Sequence, residues 1–121
     1  MSLARLYSVD THDPIWEDLL KGIVRRIAHV DSRVQILVFG SFVRKEMTQA
    51  SDLDVAVIIP DQWRQKQFLE GVYGPGPLSQ WPLDLVVLHR HTFDAKKLVG
   101  GVYMEIEQSG VELYPDWKLQ R

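Results

Sequence analysis

The chain has 121 residues, 45% hydrophobic and 25% charged, with a formal net charge of −2 and no cysteine. This is enough chain for one buried core but not two, so one domain over residues 1–121 is expected, and the balance excludes both a disordered polyelectrolyte and a broad cationic surface for gripping nucleic acid. The longest apolar runs, 36–39 and 55–59, fall far short of the roughly 18 residues a membrane span needs, residues 1–5 lack the pattern of a secretory signal, and the absence of cysteine agrees with a reducing compartment; a cytoplasmic protein is expected.

In chain order, Ile15, Trp16, Leu19, Leu20, Ile23, Val24 and Ile27 recur at three- and four-residue spacing, which predicts an amphipathic helix over 13–29. Asp13 before Pro14 supplies its cap and first-turn signals. Residues 33–39 then read as a strand feeding a turn at Gly40-Ser41, with a short helix over 42–47. A second strand, rich in β-branched residues, covers 52–59 and stops at Pro60. A helix over 61–71 follows, capped by Asp61, with Trp63, Phe68 and Leu69 on its inner side. The segment 71–82 holds three glycines and three prolines, so it reads as a loop and a candidate lid. A third strand covers 83–88. Residues 92–108 are predicted as one helix, weakened in its middle by Gly100-Gly101 at about 1 kcal/mol per glycine. Ser109-Gly110 ends it, and 111–115 forms a last short strand. This order argues for a compact α/β or α+β domain: one small mixed sheet flanked by helices.

The chemistry sits around the first two strands. Strand side chains alternate faces, so Asp52 and Asp54 share one face while Leu53 and Val55 take the other. Asp84, inside the apolar run 82–88, is placed to add a third carboxylate to that face. Three such groups together repel one another unless a cation lies between them, and magnesium, a hard ion content with an incomplete protein shell, is the natural occupant. Two ions about 4 Å apart would serve an attacking hydroxyl and a leaving pyrophosphate, with manganese as the alternative metal. Gly40 suits the close approach of a phosphate and Ser41 its hydrogen bonding, while Arg44 and Lys45 lie one turn further along as cations for β- or γ-phosphate oxygens.

Gly40-Ser41, ten residues, then Asp52-Leu53-Asp54 preceded by Ser51 resembles the signature of polymerase-beta-like nucleotidyltransferases, and most closely that of their minimal members. Arg44 matches the arginine of the Gly-Ser-x-Ala-Arg-Gly opening, whereas Val43 stands for its alanine and Lys45 for its second glycine. The resemblance runs through Asp84 to the ending at 107–114 and so covers about residues 15–115. It implies the nucleotidyltransferase fold, catalytic and metal-binding roles for Asp52, Asp54 and Asp84, and nucleotide binding by Gly40, Ser41, Arg44 and Lys45. It further implies transfer of a nucleoside monophosphate, usually AMP from ATP, to a hydroxyl acceptor. Many minimal members are antitoxins paired with a HEPN-domain toxin, and in so small a chain the acceptor is expected on such a partner or across a homo-oligomer. A non-catalytic partner-binding module and an aminoglycoside-type adenylyltransferase are the alternatives.

Blander readings accompany several residues. Asp84 can be a solvent-facing position of an edge strand, and Arg44 and Lys45 a solvated helix face. His89 and His91 read as surface residues at a strand end. Trp63, Tyr73 and Trp81 read first as core or interface, with nucleobase stacking as the alternative. Arg25-Arg26 and Lys96-Lys97 read as solvated helix faces.

Overall fold

The computed structural model describes residues 8–120, so the reading of residues 1–5 lies outside the described residues. Along the chain come α1 (Pro14–Val30), β1 (Gln35–Phe39), α2 (Ser41–Arg44), β2 (Leu53–Ile59), α3 (Gln65–Tyr73), β3 (Leu83–His89), α4 (Arg90–Lys96), α5 (Gly101–Ser109) and β4 (Val111–Tyr114). The strands form one mixed sheet in the order β3-β2-β1-β4, with β1 antiparallel to β2 and β4, and β2 parallel to β3. This is the small α+β arrangement expected.

Alternation along β2 divides the core in two. Leu53, Val55, Val57 and Ile59 are fully buried on one face, against Leu20, Ile23 and Ile27 of α1 and Phe68 and Val72 of α3. Ala56 and Ile58 face the other way and join Leu37, Phe39, Leu88, Phe93 of α4 and Ile106 of α5. Helix α1 begins as its sequence predicts: Asp13 accepts a 3.0 Å hydrogen bond from the Ile15 amide, and Pro14 occupies the first turn. No helix among the described residues is long and apolar enough to cross a membrane.

Four expectations are corrected. The helix predicted over 92–108 is two helices, because Gly100 (φ 151°) and Gly101 (φ 62°) take backbone conformations that interrupt helical hydrogen bonding, so the pair breaks the helix that it was expected only to weaken. The short helix over 42–47 is confined to Ser41–Arg44, since Lys45 leaves the helical region. Helix α3 starts at Gln65, with extended Arg64 before it; Asp61, the expected cap, instead accepts from the backbone N–H of His91 (2.9 Å). Trp63 occupies the connection, edge-on to Phe68 and donating its indole N–H to Asp31 (2.9 Å). The Asp31 carboxyl is held far below the usual carboxylate range by its bonds from Arg33 and Trp63.

The fourth correction concerns Arg26. Its guanidinium is engaged and not only solvated: it donates to the carbonyls of Val72 (2.6 Å), Gly76 (2.8 Å) and Pro77, closing the C-terminal end of α3 and holding the glycine- and proline-rich loop against α1. Arg25 is exposed, as expected.

Candidate active site

The parallel pairing of β2 with β3 decides the arrangement of the carboxylates. Leu53 pairs with Leu83 and Asp54 with Asp84, so the two aspartates are register neighbours on adjacent strands and share a face. Asp52 lies one residue before β2, two before Asp54, and is exposed; Asp54 is half-buried and Asp84 exposed. β3 is an edge strand of the sheet, and Asp84, exposed on it, stands beside Asp54.

On the other side of β2, Phe39 pairs with Asp54, which brings the turn after β1 against the same carboxylate. Gly40 at that turn has φ 75°, and a Cβ built there would lie 2.1 Å from Asp54 Oδ2. Backbone conformation and space therefore both require glycine, and the missing Cβ is what lets the Asp54 carboxylate pack directly against the turn. Partial burial pushes the Asp54 carboxyl above its ordinary pKa. The negative charges of Asp84, Glu105 and Asp52 push the same way, and Arg44 opposes them.

Glu105, on α5, is thus a fourth acidic group at the site. The sequence reading missed it, and its helical context gives no signal to separate it from the neighbouring Glu107. Glu105 also bonds Arg44 (Oε2 to Nη1, 3.3 Å), while Arg44 Nε donates to Glu46 (2.8 Å), so the guanidinium is ion-paired at the edge of the site. Ser41 Oγ donates to Met47 Sδ at 3.1 Å. Lys45 has φ 61°, the left-handed conformation that explains a glycine in the resembled motif, and its side chain lines a cavity of about 320 Å³ with His12 and Lys118, a wall that none of the three aspartates shares. The turn therefore brings Gly40 to the carboxylates but sends Lys45 elsewhere.

Among the described residues, no three or more His, Cys, Asp or Glu side chains stand together closely enough to hold a metal ion. The aspartates form an open row on the sheet rather than a preformed cluster. Their chemistry fits a divalent cation: all donors are carboxylate oxygens, the protein shell is incomplete, and the like charges flanking Asp54 are what a bound cation would offset.

The model of the nucleotidyltransferase domain family matches residues 18–113, a stretch running from α1 to β4. The chain belongs to this family. Nucleotidyl transfer is thus its general chemistry, and the observed sheet, with the aspartate row at one end, is consistent with the family's fold. No curated protein and no solved structure matches the chain.

The remaining candidates of this nucleotidyltransferase domain fall on the structural side. His89 pairs with Ile59, at the end of β3 remote from Asp84, and its Nε2 contacts the Trp63 carbonyl (2.6 Å), so it is tied down rather than free at the surface. His91 is exposed. Trp63 and Trp81 pack against the larger core, whereas Tyr73 is 41% exposed.

Proposed function

We propose that this nucleotidyltransferase domain carries out metal-dependent transfer of a nucleoside monophosphate, AMP from ATP, to a hydroxyl group of a partner protein. The in-register pairing of Asp54 with Asp84, beside a glycine whose missing Cβ lets the Asp54 carboxylate stand against the turn, carries this reading. Asp52 and Asp54, with Asp84 completing one position, would hold two Mg²⁺ ions, or Mn²⁺, which when bound neutralise phosphate charge and acidify a hydroxyl. Gly40 lets the triphosphate approach the backbone. Ser41 exchanges its bond to Met47 for a phosphate oxygen, and Arg44 exchanges Glu46 and Glu105 for the same charge. Asp84, exposed on its edge strand, accepts the proton of the incoming hydroxyl. The new oxygen–phosphorus bond forms at the α-phosphate as the bridge to the β-phosphate breaks, and pyrophosphate leaves.

The resemblance to minimal members supports a HEPN-domain protein as partner and acceptor, with this chain as the antitoxin. Calorimetric titration of ATP with and without Mg²⁺, beside an Asp52→Asn/Asp54→Asn double variant, tests the nucleotide site. Mg²⁺-dependent binding lost in the variant is the expected result, and its absence from the wild-type chain would overturn the reading. A second reading, neutralisation of the partner by binding alone, is favoured by the ion-paired Arg44 and by Lys45 lining a separate cavity. Under it, the double variant neutralises the partner as well as the wild type does.

A further inference from the structure

Asp52 is the one aspartate of the row outside any strand, and ladder pairing does not by itself account for its placement. The peptide groups on both sides of it are nevertheless fixed. Trp81 Nε1 donates to the Ser51 carbonyl (2.8 Å), and the Leu53 amide donates to the Pro82 carbonyl (2.8 Å). Two consecutive residues of the glycine- and proline-rich loop therefore hold the backbone immediately before and after Asp52. The Trp81 ring is itself immobilised, edge-on to Trp16 at 5.1 Å, and Trp16 is only 4% exposed. Trp16 in turn meets Phe42 edge-on at 5.4 Å, and Phe42 follows Ser41. One aromatic chain thus joins the backbone around Asp52 to the turn that follows Gly40. At its other end the loop is clasped by Arg26 through the carbonyls of Gly76 and Pro77, with that of Val72 at the end of α3.

We propose that the loop 74–82 is a fixed brace rather than a lid, and that Trp81 is a positioning residue that sets Asp52 against Asp54 for cation binding. The inference rests on the metal-dependent reading above. An indole N–H that orients a ligand through the backbone acts as an outer-shell partner, and losing such a partner lowers metal affinity about 10- to 100-fold. A tryptophan that only filled the core would give no such effect once the protein is folded.

The test uses Trp81→Phe, which keeps a ring against Trp16 and removes only the indole and its N–H. Mn²⁺ affinity is measured by electron paramagnetic resonance, well below the melting temperature, for wild type, Trp81→Phe and Asp54→Asn. Expected are saturable binding in the wild type, loss of it in Asp54→Asn, and affinity at least about 10-fold weaker in Trp81→Phe. Wild-type affinity in Trp81→Phe overturns the positioning role while leaving the metal site standing. Failure of the wild type to bind Mn²⁺, or unchanged binding in Asp54→Asn, overturns the metal-dependent reading and this inference with it. Should Trp81→Phe not fold, hydrogen exchange in the wild-type chain decides: a Trp81 indole N–H protected against exchange supports the brace, and one exchanging like a freely exposed indole overturns it.

Discussion

The two faces of the sheet are built by one period-2 alternation but end in opposite states. Toward α1 and α3, β2 presents Leu53, Val55, Val57 and Ile59, all at 0% exposure, and the seal runs the full length of the strand. Toward α4 and α5 the same strand presents Ile58 and Ala56, buried beneath Phe93 and Ile106, and then Asp54, where the cover stops and carboxylates begin. One face is spent on stability. The other is spent on stability for half its length and gives some back at its open end, because Asp54 is partly buried there and stands among charges of its own sign. Stability and chemistry are thus separated within a single strand, residue by residue.

The largest expected effect sharpens this contrast at Asp54. Asp54→Asn should lower nucleotidyl transfer by more than the roughly 100-fold that bounds loss of an outer-shell partner, and yet raise the melting temperature. Because the folded pKa of Asp54 lies above its unfolded value, near 3.9, its charge costs stability that is fully felt above the folded pKa and fades as pH falls to the unfolded one. The stability gain of Asp54→Asn should therefore be present at pH 7 and vanish near pH 3, as read by thermal melts across pH; a gain that persists at acid pH would break the assignment. Asp31 runs the other way, its depressed pKa contributing stability above about pH 3.9 that is lost as pH falls toward its folded value.

On the sealed face, Ile59→Ala should cost about 2–5 kcal/mol in denaturant unfolding while leaving Mn²⁺ affinity unchanged. Coupled losses of stability and affinity would show that the faces are not separate. Gly40→Ala sits where they meet. It should cost about 1–2 kcal/mol from the positive φ alone and also displace the Asp54 carboxylate, weakening Mn²⁺ binding measurably. The smallest effect is a gain: Lys45→Gly should stabilise by up to about 1 kcal/mol by relieving its left-handed backbone, visible as a higher denaturant midpoint with unchanged slope.

How much of this was legible depended on how local the determining physics is. Alternation and apolar spacing are local, so α1 and the four strands could be read from the residues, and the pairing of Asp54 with Asp84 followed once β2 and β3 were taken as neighbours. Arg26 could not be read, because its acceptors are backbone carbonyls about fifty residues away and carry no side-chain signature. Glu105 was hidden for the same reason: only the packing of α5 against β1 and β2 makes it a neighbour of Arg44 and Asp54. Trp81 stood out as an aromatic, but its indole N–H had no visible addressee until the loop closed on Ser51. The break at Gly100-Gly101 was in plain view and underweighted. A per-residue propensity cost treats two adjacent glycines as additive weakening, whereas here α4 stops at Lys96 and the positive φ of Gly100 and Gly101 separates it from α5.

The ion pairs of Arg44 carry a kinetic consequence. Both lie at the surface, with Arg44 about half exposed, and such pairs contribute on the order of 0–1 kcal/mol each. The guanidinium is therefore parked rather than locked. A more densely charged anion arriving beside the turn would thus displace two weakly held carboxylates. Because exposed pairs are screened, rising ionic strength loosens the parking and blunts the incoming attraction together, making the exchange far less salt-sensitive than either contact alone.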